Sequence, residues 1–293
     1  MLIHTKSRRL NTNQIINMNR RNFLQLAAAA TAGTLLPGCA ITSSSISAHS
    51  HAKRGLGIGT KPGTPWREKI ELCGAHWLYN WTTTPPENLP AGVEFFPMVW
   101  SKRRENSFPK LREELRRNKF RILLGYNEPD QKKQGNVTVE EALEQWPKLM
   151  ELGVRLGSPA GVHPDKDWMK AFMKGVDERK LRVDFVTVHS YGGPNADALM
   201  KRLAAVHELF GRPLWITEFA VGDWNAKTRA ENKFRPEQVV EFVQKVLPQL
   251  DACKFVERYA WFPAKPDSAP LGPCALFNDD GTLTPVGEAY RTA

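Results

Sequence analysis

Eight short apolar or aromatic runs recur through residues 54–293, and helical patterning separates most of them. They cover 55–59, 77–81, 93–100, 121–128, 155–160, 184–191, 213–220 and 256–263. Strand–helix–strand repeats build a parallel sheet covered by helices, because each crossover packs back onto the sheet with one hand. Eight unbroken repeats, in a segment near the ~250 residues usual for one barrel, predict an α/β fold of the (β/α)8 TIM-barrel type. The competing open sheet usually carries a glycine-rich phosphate loop, and neither G-x-G-x-x-G nor G-x-x-x-x-G-K occurs here.

Three helices are legible from their stripes and end signals. Thr138, Val139, Glu140 and Glu141 form a capping box ahead of Ala142, Leu143, Trp146, Leu149 and Met150, with Gly153 as the stop and Pro147 expected to bend or shorten the helix. A second places Leu199, Leu203, Val206 and Phe210 on one face before Gly211. The third opens at Pro236 and repeats through Val239, Phe242, Val243, Val246 and Leu247. Trp146 and Trp168, both on helical stretches, are assigned to core packing.

The net charge of +10 belongs mostly to the amino-terminal segment, where seven basic residues precede Gly55 with no acidic one. The remainder is close to balanced, so composition gives no argument for a nucleic-acid partner. Arg20 and Arg21 precede Asn22-Phe23-Leu24-Gln25 and a weakly apolar run over 26–36, the pattern of a twin-arginine export signal. That run is shorter than the ~20 residues a membrane span needs. Leu35-Leu36-Pro37-Gly38-Cys39-Ala40 resembles a bacterial lipobox, which makes Cys39 the candidate for lipidation and a lipid anchor the expected route to a membrane. The reading divides the chain into an export signal (1–39), a flexible Ser-rich tether (40–53) and a catalytic barrel (54–293). Cys73, Cys253 and Cys274 form no C-x-x-C pair, and buried unpaired thiols are expected. His76, His163, His189 and His207 contain no H-x-H pair, so neither a metal nor another cofactor is called for.

In such a barrel the reactive groups stand at the carboxyl ends of the strands. The fourth run ends in Tyr126-Asn127-Glu128-Pro129 and the seventh reads Leu214-Trp215-Ile216-Thr217-Glu218-Phe219-Ala220. Each delivers a carboxylate where apolar chain ends, and such a group must be paired, hydrogen-bonded or protonated. Pro129 biases Glu128 towards an extended conformation and should end the sheet ladder there. Strands four and seven of an eight-stranded barrel face each other across about 14 Å, which leaves the two carboxyl groups roughly 5 to 7 Å apart. That separation suits a pair acting on one glycosidic bond and spans both retaining and inverting geometries. Glu257 lies near the start of its run, at the stability face, and is set aside.

Four ordered motifs then carry a family resemblance. Gly125-Tyr126-Asn127-Glu128-Pro129-Asp130, Val188-His189-Ser190-Tyr191-Gly192-Gly193, Trp215-Ile216-Thr217-Glu218-Phe219 and Tyr259-Ala260-Trp261-Phe262 are similar to those of glycoside hydrolase family 128, which belongs to the large clan of retaining hydrolases on this barrel and acts on β-1,3-glucans. The resemblance implies Glu128 as general acid and base and Glu218 as nucleophile. It implies Asn127 as partner of the sugar 2-hydroxyl, Tyr191 as donor to Glu218, and His189 in the same subsite. Trp261 is expected to stack beside the scissile bond, with Trp81, Trp100 and Trp224 lining flanking subsites. The expected protein is an exported monomer that cleaves β-glucan, either periplasmic, a cell-surface or outer-membrane lipoprotein, or secreted. A noncatalytic glycan-binding lipoprotein on the same barrel, or action on another β-linked polysaccharide, is the alternative.

Overall fold

The computed structural model describes residues 51–101 and 108–293. The export signal, Cys39 and the tether up to residue 50 lie outside the described residues. Eight strands follow in order: β1 (Arg54–Gly57), β2 (Trp77–Tyr79), β3 (Glu94–Phe95), β4 (Ile122–Leu123), β5 (Arg155–Leu156), β6 (Val186–Gly192), β7 (Leu214–Val221) and β8 (Val256–Trp261). All pairings between them are parallel. One sheet runs β3-β2-β1-β8-β7-β6 and a second pairs β4 with β5. Single parallel bridges, Met98 to Leu124 and Gly157 to Phe185, join the two sheets at both seams, so the (β/α)8 barrel is a closed ring.

Every predicted strand is present, but β3, β4 and β5 have only two residues each. Pro97, Pro129 and Pro159 fall in or just after these runs, and a proline has no amide hydrogen to offer the ladder. Seven helices lie among the described residues: α1 (Trp66–Leu72), α2 (Phe108–Arg117), α3 (Val139–Met150), α4 (Asp167–Glu178), α5 (Ala196–Phe210), α6 (Pro236–Ala252) and α7 (Pro285–Thr292). In α3 the Thr138 hydroxyl accepts the Glu141 amide at 3.2 Å while the Glu141 carboxylate accepts the Thr138 amide at 2.9 Å. Pro147 does not end α3, which runs on to Met150. Gly211 closes α5 in the left-handed region at φ 62°, where glycine meets no Cβ penalty.

Side chains on the inner face of the strands fill the barrel. Trp77, Tyr79, Phe96, Phe185 and Trp215 form one buried cluster with Met98, Leu124 and Ala260. Rings of this size fit because the facing positions are small: a Cβ on Gly55 would stand 2.3 Å from the Trp77 ring. The barrel's amino-terminal end is closed by charge. Glu257 accepts from Arg155 at 2.9 Å and from the Trp215 indole at 2.8 Å, the structural role expected of it. Residues 51–53, assigned to the tether, instead form a short 3-10 turn. Lys53 fixes it by donating to the carbonyls of Leu250, Asp251 and Cys253 at the end of α6.

The alternate face packs against the helices, and this corrects one expectation. Trp261 is 0% exposed and lies on the outer face of β8, with its ring 4.8 Å from Phe219 and 5.8 Å from Tyr290. Its indole donates to the Cys274 carbonyl at 3.0 Å, so it cannot stack on a ligand. The pleat is the reason, since Tyr259 and Trp261 turn outward while Ala260 turns inward. Replacing Trp261 by Ala should therefore lower unfolding stability by about 3–5 kcal/mol, measured by denaturant titration.

Candidate active site

Glu218 owes its direction to an irregularity in β7. Val188 pairs with Ile216, but the next pair is His189 with Glu218, so Thr217 is an extra residue in the ladder. Trp215 points inward, and an unbroken pleat would send Thr217 inward and Glu218 outward. The inserted residue reverses the phase and puts Glu218 level with His189, as such register shifts beside active sites do. Only 5% of Glu218 is exposed. Its Oε1 accepts from the Tyr79 hydroxyl at 2.8 Å and from the Trp81 indole at 2.9 Å. Its Oε2 accepts from the Tyr191 hydroxyl.

Glu128 is positioned by backbone strain. It adopts φ 39°, outside the extended range that a following proline favours, so the expectation of an extended Glu128 is overturned. Two contacts hold it there: its amide donates to the Ala160 carbonyl at 2.7 Å, and its Oε1 lies 3.2 Å from His189 Nδ1. The loop after it is pinned by the Gly135 amide on the Asn127 carbonyl at 3.0 Å and the Val137 amide on the Pro129 carbonyl at 3.0 Å. A Cβ on Gly135 would stand 2.3 Å from the Asn127 oxygen, so only glycine permits this closure. The left-handed kink lets the neighbours Asn127 and Glu128 both line the same cavity. Asn127 Oδ1 is buried and has no protein partner.

His189 lies between the two carboxylates. Nδ1 faces Glu128, and Nε2 is 3.5 Å from Glu218 Oε1. It is fully buried and does not line the cavity, so it contacts the carboxylates and not a ligand, which corrects its assignment to substrate binding. Burial by itself lowers the imidazole pKa, yet the charges of Glu218 and then Glu128 outweigh it and raise the value above the ordinary one. Burial and the Glu218 charge push the Tyr79 and Tyr191 hydroxyls upward, so both remain donors. One oxygen of each carboxylate and one imidazole nitrogen all lie within 4.8 Å of one another. This trio is the one group of His, Cys, Asp and Glu side chains among the described residues compact enough for a cation.

The carboxylates open into a cavity of about 820 Å³. Trp81, Trp100, Tyr191 and Trp224 line it as expected, and Trp224 stands 60% exposed at the rim. Phe262 takes the place expected of Trp261. It continues an aromatic wall, 5.9 Å from Trp81 and 5.8 Å from Tyr191, which is in turn 5.6 Å from Trp224. Two functional residues were missed from sequence. Phe262 follows from the pleat once Trp261 is turned outward, and Tyr79 follows from its place two residues before Trp81 on the inner face of β2.

The family model of the glycosyl hydrolase catalytic core matches residues 59–290, and the twin-arginine translocation pathway signal sequence matches residues 17–37, which marks the chain for export. The fold is similar to a GH128 (subgroup I) endo-beta-1,3-glucanase from Amycolatopsis mediterranei in complex with laminaritriose, at 33% identity over 82% of this chain and 98% of that one, TM-score 0.71. It is also similar to a GH128 (subgroup III) curdlan-specific exo-beta-1,3-glucanase from Blastomyces gilchristii in complex with glucose, at 30% identity over 84% and 100% of the two chains, TM-score 0.66. Alkali-sensitive linkage protein 1 of Schizosaccharomyces pombe is 30% identical over 247 residues, 80% of this chain, which spans 44% of that relative's length.

The raised pKa of His189 has a thermodynamic consequence. Its contribution to stability is fully present below its unfolded pKa of about 6.5 and is lost as pH rises through the folded value. Unfolding free energies measured from pH 5 to pH 9 should therefore show wild type losing more stability with rising pH than His189→Gln.

Proposed function

The chain belongs to the glycosyl hydrolase catalytic-core family, as a member of glycoside hydrolase family 128, and from that premise we propose that it hydrolyses β-1,3-glucan with retention of anomeric configuration. The observation that carries this is the pairing of Glu128 and Glu218 from opposite strands, with carboxylate oxygens inside 4.8 Å of each other. Retaining enzymes hold their two carboxyl groups about 5–5.5 Å apart, leaving no room for a water between them.

In the first step the Glu218 carboxylate attacks the anomeric carbon as Glu128 gives its proton to the leaving glycosidic oxygen. A glycosyl ester on Glu218 results, and the first product departs. In the second step Glu128, now a carboxylate, takes a proton from water as the water oxygen attacks the same carbon. The ester bond breaks and Glu218 recovers its charge. Tyr79, Trp81 and Tyr191 hold Glu218 in its attacking rotamer, while the Asn127 side chain takes the 2-hydroxyl. The aromatic wall offers π faces to the axial C–H groups of the sugar rings. Outside the cell, a lipid on Cys39 would hold the barrel at a membrane through the residues that follow.

Activity on laminarin and curdlan beside β-1,4-linked controls tests the substrate, and proton NMR of the first-formed anomer tests retention. Glu128→Gln and Glu218→Gln should each lower kcat by roughly 10²–10⁴-fold or more. Wild type that binds laminarin without cleaving it would assign the chain to glycan binding, and turnover surviving Glu218→Gln would overturn the nucleophile. Tyr79→Phe and Tyr191→Phe each remove one hydrogen bond to a charged group. Each should lower kcat/KM by roughly 10–100-fold, mostly through kcat.

A further inference from the structure

The cavity has two chemically different walls. The aromatic side comes from the ends of β2, β6, β7 and β8, whereas the side facing it is built from the connections after β4 and β5 and from α5. That second side carries Gln131, Lys133, Gln134, His163 and Arg202. Apart from Glu128 and Glu218, no acidic residue lines the cavity among the described residues. Asp130 lies close by but spends its Oδ1 on the Val162 amide at 3.1 Å. Arg202 gives one nitrogen to Asp165 at 3.0 Å. Lys133 and His163 are exposed, and no described carboxylate pairs with Lys133.

A neutral sugar needs amides, hydroxyls and ring faces, and Asn127, Gln131, Gln134 and the aromatic wall already supply them. An ammonium or guanidinium can donate to a neutral hydroxyl, but it gains most from an anionic acceptor. Lys133 and His163 line this cavity together with Arg202, whose guanidinium keeps further donors beyond the one given to Asp165. We infer that Lys133, His163 and Arg202 form a subsite for an anionic substituent on the glycan, a carboxylate or an acid ester carried by a sugar held in the groove. The inference rests on reading the cavity as a glucan site, and it narrows the preferred substrate from neutral to acid-substituted β-1,3-glucan.

Isothermal titration of full-chain Glu218→Gln separates binding from turnover. Its ligands are laminari-oligosaccharides of one length, either neutral, oxidised to the carboxylate at C6, or sulfated at C6. At low salt one of the acidic forms should bind about 10-fold more tightly than the neutral one, and which form it is identifies the source of the charge. Raising salt to about 0.5 M should erase most of that advantage. Lys133→Gln and Arg202→Gln, each added singly and checked for folding by circular dichroism, should each reduce the ratio of acidic to neutral affinity. Equal affinity for all three ligands, or an advantage that survives both substitutions, overturns the subsite and leaves hydrolysis of neutral glucan untouched. Preference for an acidic ligand in a chain whose wild type cleaves nothing would keep the subsite and remove the hydrolase reading.

Discussion

Two carboxylates stand at the mouth of a barrel whose interior is rich in aromatic rings, and burying them there demands compensation on the spot. His189 is central to it. One imidazole nitrogen faces Glu128 and the other faces Glu218, so a single buried ring ties β4 to β7 through β6. The fields of both carboxylates converge on that one ring, and they outweigh its burial in raising its pKa. The hydroxyls of Tyr79 and Tyr191 and the indole of Trp81 complete the coordination of Glu218. A carboxylate so held is fixed in one rotamer with its charge already solvated by protein donors.

The aromatic filling below makes that arrangement rigid. Trp77, Phe96, Phe185 and Trp215 interlock in tilted and stacked contacts with centroids 4.5–5.6 Å apart. Such a core resists shear between strands that hold few ladder hydrogen bonds, as β3, β4 and β5 do. Local strain is then sustainable above it: Trp81 and Glu128 both hold positive φ, at 59° and 39°, and both face the reacting groups. Each such residue costs on the order of 1–3 kcal/mol, which a rigid surround can sustain.

Much of this was legible from residue order alone. Eight runs separated by helical stripes predicted the closed ring, and the capping box of α3, the glycine stop of α5 and the proline start of α6 stand where their chemistry placed them. Glu128 and Glu218 were identifiable because a carboxylate ending an apolar strand has few reasons to be there except chemistry. Trp261 against Phe262 depends on which face of the pleat a residue occupies, and the inward direction of Glu218, expected from its place in the barrel, is reached through a register shift that residue order does not reveal. The substrate-binding place expected of His189 fails because nothing local to it reveals two carboxylates 61 and 29 residues away.

The sequence by itself determined the repeating architecture, the export signal, the ordinal places of the two strand-end carboxylates and the family. These follow from local patterns, since hydrophobic period, end signals and short motifs are written in neighbouring residues. Only the tertiary structure decided which side chains meet: the extra Thr217 that turns Glu218 inward, the left-handed Glu128, the buried imidazole bridging both, and the division of the groove into aromatic and cationic walls. Those depend on closure of the barrel, where register and pleat combine over long sequence separations and a shift of one residue exchanges the inner face for the outer.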